Sequence, residues 1–197
     1  MQQKRLFFGI PMGSDLGLAF QDTMKKLKAN ADKKNIEVQW VPEENLHITL
    51  RFLGETPVDR ISDLVGLVEP ILSDTAGFSL KVQGLGAFPD DNHARVLWAG
   101  VQNKLALRHL QSAMDEAVLE WGGEEDAREF HPHLTVGRIR KTRSVRDLFS
   151  PFVRKKFGAL SAKEVWLFES VQRRDFAPEY RPVHKFLLKP IEVEDEI

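Results

Sequence analysis

Apolar and polar residues alternate along several short segments of the chain, the pattern of strands with one buried face. Between these segments apolar residues recur every three or four positions, which predicts amphipathic helices. The predicted strands are Leu6–Ile10, Val38–Trp40, Asn45–Gly54, Phe78–Val82, Arg95–Val101, Phe130–Arg138, Val165–Val171 and Pro182–Lys189. The predicted helices cover residues 14–34, 58–73, 104–121 and 144–155.

This order of elements predicts an α+β fold in which antiparallel sheets are backed by helices. A strand with a His-x-Thr sequence occurs once in each half of the chain, with helices to either side. We therefore expect one bilobal domain over residues 1–197, with two pseudo-twofold-related lobes and a central cleft. The loop-like segment Gly84–Asn92, which is rich in Gly, Pro and Asp, is the expected crossover between the lobes.

Composition narrows the choice of chemistry. The chain has 197 residues, a formal net charge of −1 and no cysteine. The absence of cysteine excludes disulfides, thiolate zinc sites and cysteine nucleophiles. The start of the chain lacks the apolar core of a signal peptide, and no apolar run approaches the ~20 residues that span a bilayer. We expect a cytoplasmic protein that does not bind membranes.

The candidate chemistry lies in the two His-x-Thr sequences, His47-Ile48-Thr49 and His133-Leu134-Thr135. Side chains at i and i+2 of a strand share a face, so each histidine lies beside its threonine. Imidazole titrates near pH 6.5, so one ring can act as a base while the other is protonated and acts as an acid. Threonine hydroxyls can donate to phosphate oxygens. The pattern favours a phosphoryl-transfer site that uses neither metal nor cofactor.

Two arginines follow the motifs and could supply positive charge to a phosphate. Alternation places Arg51 on the face of His47. Arg138 is five residues after His133, so alternation places it on the opposite face. It reaches the site only if the strand bends, bulges or ends near Gly137.

Other chemistries remain open at this point. His131 and His133 form a His-x-His pair that could bind a metal, and a non-catalytic protein could use the same cleft for binding alone. Paired acid and base groups are unnecessary for binding alone, which disfavours the second alternative. The chain has no phosphate-binding Walker loop, no dinucleotide glycine fingerprint and no Gly-x-Ser-x-Gly elbow.

Several segments resemble the 2H phosphoesterases, specifically the RNA 2′,3′-cyclic phosphodiesterases formerly named 2′-5′ RNA ligases. The resemblance covers nearly the whole chain. It rests on Arg5–Ile10, Asn45–Gly54, Arg95–Trp98, Phe130–Thr135 with Arg138, Glu169-Ser170 and Tyr180. The resemblance implies a bilobal fold with both histidines in a central cleft. It also implies metal-free hydrolysis of a terminal 2′,3′-cyclic phosphate on RNA to a 2′-phosphomonoester.

By position, the resemblance makes His47 the proton donor and His133 the proton acceptor. It implies that Thr49, Thr135 and Arg138 hold the phosphate and that Phe8 contacts the base. The expected partner is RNA or a nucleotide with a 2′,3′-cyclic phosphate end, and we expect a monomer. Reasoning from the residues alone does not decide which histidine is the acid or which P–O bond breaks. The older name of the family suggests RNA end joining, the reverse reaction, as an alternative, and non-catalytic binding of RNA ends is another.

Overall fold

The computed structural model describes residues 2–12, 16–102, 104–172 and 178–190. In these ranges the strands are β1 Gln3–Pro11, β2 Val38–Trp40, β3 His47–Pro57, β4 Phe78–Phe88, β5 Ala94–Val101, β6 His133–Arg143, β7 Lys156–Ala162, β8 Glu164–Val171 and β9 Glu179–Leu187. The α-helices are α1 Leu18–Lys33, α2 Ile61–Asp74, α3 Lys104–Glu120 and α4 Arg146–Phe149. The expected start of the first helix near residue 14 lies outside the described residues.

The strands form one sheet in the order β7-β4-β5-β6-β3-β1-β8-β9, and β2 pairs with β6. All pairs of named strands are antiparallel. The two halves of the sheet meet where β3 and β6 pair, through Ile48 and Leu134. The predicted α+β fold, with two halves related by a pseudo-twofold axis, is confirmed. Strand β7 was not predicted.

Helices cover the sheet because each has an apolar face to bury. In α3 the buried residues recur at helical spacing, at Leu107, Leu110, Met114, Ala117 and Val118. Helix α3 contacts β3, α2 contacts β9 and α3, and α1 contacts β7 and α4. No helix within the described ranges is long and apolar enough to cross a membrane.

The predicted crossover at Gly84–Asn92 is wrong. Residues 84–88 belong to β4, which pairs with β5 in the same half of the sheet. The halves also do not divide the chain into an N-terminal and a C-terminal part, since α1 packs against β7. The Gly- and Pro-containing segment suggested a long connection, whereas it forms a strand end and a hairpin turn.

A β-bulge occurs at the same point in each motif strand. In β3, Gly9 of β1 pairs with Thr49 and Phe8 pairs with Arg51, so Leu50 is the extra residue. In β6, Trp98 of β5 pairs with Thr135 and Leu97 pairs with Gly137, so Val136 is the extra residue. Each bulge exchanges the faces of the residues that follow it. It turns Arg51 and Gly137 inward, and it brings Phe52 and Arg138 to the face of the histidines.

Strand β2 lies close against Gly137 of β6 and leaves little room for a side chain there. An added Cβ would lie 2.7 Å from Val38 Cγ1 and 3.1 Å from Trp40 Cε3. We expect Gly137→Ala to lower the free energy of unfolding by about 1–3 kcal/mol, the usual cost of overpacking. Urea denaturation measures this change.

The matched control is Gly66→Ala in α2, where an added Cβ meets nothing within 4 Å. Because alanine favours helix over glycine, this variant should gain about 0.5–1 kcal/mol. If both variants unfold at the same urea concentration, the close packing of β2 on the bulge is contradicted.

Candidate active site

A cavity of about 520 Å³, here called the central cleft, lies between β3 and β6. Five of the predicted site residues line it: His47, Thr49, His133, Thr135 and Arg138. Their placement follows from the crossing of the two strands. Ile48 and Leu134 are fully buried in the core, so the residues on either side of each point to the opposite face.

Both histidine rings are anchored in the same way. His47 Nδ1 lies 2.7 Å from the carbonyl oxygen of Asn45, and His133 Nδ1 lies 2.6 Å from that of His131. A carbonyl oxygen only accepts, so Nδ1 carries the proton in each ring. Nε2 is then the unprotonated nitrogen of the neutral imidazole. Each ring thus has one nitrogen fixed to the backbone and one available for proton exchange.

Aromatic rings enclose the two imidazoles. His47 lies 4.9 Å from the ring of Phe7 and 4.9 Å, edge-on, from that of Tyr180. His133 meets the Phe88 ring edge-on at 5.0 Å. These contacts limit ring rotation, and they remove water from the imidazoles.

Loss of water lowers the pKa of both histidines, because burial disfavours the charged form. The pKa of His47 falls to about 4 through burial, partly opposed by the Asn45 hydrogen bond and reinforced by the charges of His133 and Arg138. The pKa of His133 is also lowered, chiefly by burial and further by Arg138 and His131, against the bond to the His131 carbonyl. Both rings are therefore neutral near pH 7.

Arg138 reaches the cleft because of the bulge in β6. It is exposed and lies on the face of His133 and Thr135, and its charge acts on both imidazoles. The bulge near Gly137 that Arg138 needs to reach the site is present. An anion bound beside Arg138 would oppose its effect and favour protonation of a neighbouring histidine.

Arg51 does not face the cleft, contrary to the prediction from alternation. Its side chain is 4% exposed, and its Nε lies 2.8 Å from Asp115 Oδ1 while Nη1 lies 3.3 Å from Asp126 Oδ2. It also donates to the carbonyl oxygens of Phe52 and Glu124. The bulge at Leu50 explains the difference. Arg51 joins β3 to α3 and to the segment that leads into β6.

Phe8 does not contact the cleft either. It is fully buried in the core, where its ring lies 5.9 Å from that of Phe186. Its neighbour Phe7 lines the cleft instead. Both residues are apolar, so the sequence alone could not show which of them faces the core.

His131, which with His133 was the alternative metal site, does not line the central cleft. The His131 side chain is 57% exposed, and its Nε2 lies 3.3 Å from Glu129 Oε2. Within the described ranges no three or more His, Cys, Asp or Glu side chains are grouped as metal ligands. His131 acts on His133 in two ways: its backbone carbonyl anchors the ring, and its charge lowers the pKa of His133.

Comparison with known proteins shows the family of the chain. The family model described as the 2′-5′ RNA ligase superfamily matches residues 18–174. The chain belongs to this superfamily. The resemblance inferred from the motifs is thereby confirmed.

Individual relatives show the extent of the similarity. A protein of Methanothermobacter thermautotrophicus named RNA 2′,3′-cyclic phosphodiesterase is 28% identical over 83% of this chain and 88% of its own length. A protein of Archaeoglobus fulgidus with the same name is 31% identical, over 85% and 91%. The crystal structure of Escherichia coli LigT complexed with 3′-AMP has a TM-score of 0.69 and 25% identity, over 95% of this chain and 99% of that one.

In this member of the superfamily, sequence reasoning did not single out several residues that line the cleft, among them Phe7, Phe52 and Phe88. Phe52 is 41% exposed, and its ring lies 5.8 Å from that of Phe7. Phe52 occupies the position in β3 that Arg138 occupies in β6. The repeated His-x-Thr motif was the available signal, since it aligns the two strands residue by residue.

The anchored imidazoles generate a prediction for nuclear magnetic resonance. In the ligand-free protein we expect His47 to be the Nδ1–H tautomer and to titrate near pH 4. Inorganic phosphate should raise this pKa, because an anion favours the protonated ring. Imidazole ¹⁵N shifts measured against pH test both points, and a His47→Gln spectrum assigns the resonance.

The same shift has a consequence for stability. The pKa of His47 is lower in the folded protein than in the unfolded chain, so the unfolded state binds more protons. The lowered pKa of His47 therefore raises the free energy of unfolding above about pH 6.5, and this gain is lost as the pH falls toward 4. An Nε2–H tautomer, or titration at the ordinary imidazole pKa, would contradict the described site.

Proposed function

We propose that the protein hydrolyses the 2′,3′-cyclic phosphate at the end of RNA to a 2′-phosphomonoester, with two histidines as acid and base. One observation carries the proposal: His47 and His133 face one cleft with identically anchored rings, each leaving Nε2 for proton exchange. The names of the relatives from Methanothermobacter and Archaeoglobus support the substrate.

The reaction needs two proton transfers. His133 Nε2 takes a proton from water as the water oxygen attacks phosphorus. The bond between phosphorus and the 3′ oxygen breaks, and His47 Nε2 gives a proton to that oxygen. Attacking and leaving oxygens prefer to lie in line, so the two imidazoles must flank the phosphate. This assignment of acid and base follows the family resemblance.

Three further residues are proposed to hold the phosphate. The guanidinium of Arg138 can donate two parallel hydrogen bonds to its oxygens, and the hydroxyls of Thr49 and Thr135 can donate one each. Binding of the anion also has an electrostatic role. It offsets the charge of Arg138 and raises the pKa of the buried His47, which prepares this ring as a proton donor.

A second candidate function is joining of RNA ends, which the superfamily description favours. A ribose 5′-hydroxyl would then replace water as the attacking group, and the same histidines would serve. Water is in large excess over any hydroxyl end, so hydrolysis should dominate. The expected monomeric state, cytoplasmic location and single domain over residues 1–197 remain predictions.

The product and the need for metal are tested together. We expect the protein to open a nucleoside 2′,3′-cyclic phosphate fully in excess chelator and to yield the 2′-phosphate. Phosphorus NMR resolves the two possible monoesters. Loss of activity in chelator with recovery on added zinc would contradict the histidine mechanism, and a 3′-phosphate product would reverse the proposed substrate orientation.

Substitution of the histidines tests their pairing. His47→Ala and His133→Ala should each lower kcat by about 10² to 10⁴, the usual contribution of a positioned acid or base. The double variant should lose much less than the product of the two losses, because the groups act as a unit.

His131→Ala is the matched control, because it removes an imidazole near the site but keeps the carbonyl that anchors His133. It should retain near-normal turnover. If instead His47→Ala and His133→Ala both keep normal turnover while folded, the protein is an RNA-end binder.

A further inference from the structure

The rim of the central cleft carries an arginine stacked on a phenylalanine. The Arg128 guanidinium carbon lies 5.0 Å from the centroid of the Phe52 ring. Phe52 lines the cleft and is 41% exposed, and the Arg128 side chain is 67% exposed. Single-stranded RNA is commonly recognised by bases that stack on aromatic rings or on guanidinium planes.

The guanidinium is fixed before any ligand binds. Arg128 Nε donates to Asp126 Oδ1 at 2.7 Å, and Nη2 donates to Oδ2 at 2.6 Å. Asp126 is in turn 3.3 Å from the buried guanidinium of Arg51. Because this network holds the plane in one orientation, less side-chain entropy is lost when a flat ligand stacks on it.

A cavity of about 320 Å³ lies beside this pair and adjoins the central cleft, since Arg5 and Phe52 line both. The charges that line it balance. Arg5, Arg51 and Arg128 face Glu124, Glu125 and Asp126. A balanced cavity has no strong preference for the anionic RNA backbone, so its chemistry suits a nucleobase better than a phosphate.

The proposed reaction indicates which nucleobase this would be. The leaving 3′ oxygen belongs to the terminal ribose, so that ribose lies on the side of His47. There a cavity of about 720 Å³ shares His47 and Tyr180 with the cleft, and Trp166 and Phe168 line it, so this cavity can hold the terminal base. The Arg128–Phe52 pair then remains for the neighbouring nucleotide.

We propose that Arg128 and Phe52 form a stacking platform for the nucleobase that precedes the terminal nucleotide of the RNA. This inference rests on the proposed function, because it takes RNA as the substrate. It gives the protein a preference for an oligonucleotide end over a free cyclic mononucleotide.

The test compares two substrates in parallel: a nucleoside 2′,3′-cyclic phosphate and a dinucleotide that ends in the same group. Stacking of one base on such a platform strengthens binding by about tenfold or more. We expect the wild-type protein to favour the dinucleotide in kcat/KM by at least this factor, through KM. Arg128→Ala should abolish the preference and leave mononucleotide turnover within about twofold.

Two further variants separate stacking from charge and from general surface effects. Arg128→Lys keeps the charge but lacks the planar group, so it should lose the preference as Arg128→Ala does. Arg108→Ala removes an exposed arginine from α3, and it should change neither substrate. Since each variant is judged by the ratio of its two activities, a small loss of folded protein does not affect the result.

Equal losses on both substrates, an unchanged preference in Arg128→Ala, or no dinucleotide preference in the wild type would each overturn the platform. Binding distinguishes this failure from failure of the proposed function. Calorimetry with a dinucleotide and a mononucleotide that each end in a 2′-phosphate needs no catalysis. Tighter binding of the dinucleotide that depends on Arg128 supports the platform even if neither cyclic phosphate is hydrolysed, and equal binding contradicts it.

Discussion

The pairing of β3 with β6 at Ile48 and Leu134 is the constraint on which the site depends. Because both residues are buried against the core, the histidine and threonine beside each must point into the cleft between the strands. A shift of the pairing by one residue would turn the histidine and threonine of one strand inward. The deep burial of these two apolar residues therefore fixes the register, and the register places both histidines in the cleft.

The bulges complete this arrangement by breaking the alternation at matching points. One brings Arg138 to the cleft side of β6, and the other brings Phe52 to the same side of β3. The two strands thus share a backbone plan but present a cation at one position and an aromatic ring at the other. This asymmetry suits a ligand with a charged phosphate and a flat base. The inward-turned Arg51 joins the first motif strand to the segment that enters the second.

Most of the fold and the centre of the site were predictable, because periodicity reports which face of a strand is buried. The positions of His47, His133 and their threonines follow from alternation alone. Arg51 was misplaced because a bulge leaves no mark in a single sequence, and Phe8 because Phe7 is equally apolar. The crossover was misplaced because Gly and Pro at a strand end resemble a loop. The Arg51–Asp126 pair depends on tertiary packing, which no local pattern reveals.

We propose that two neutral, buried imidazoles become an acid–base pair when a phosphate binds. The most direct test is the pH dependence of kcat/KM and of kcat for a nucleoside 2′,3′-cyclic phosphate. We expect two bell-shaped curves. The curve of kcat/KM reports the free protein, so both its acid and its alkaline limb should lie below the ordinary imidazole pKa of about 6.5. The curve of kcat reports the complex, so its alkaline limb should lie at higher pH. A rate that is independent of pH between about 4 and 8, or a curve with a limb on one side alone, would contradict the proposed acid–base pair.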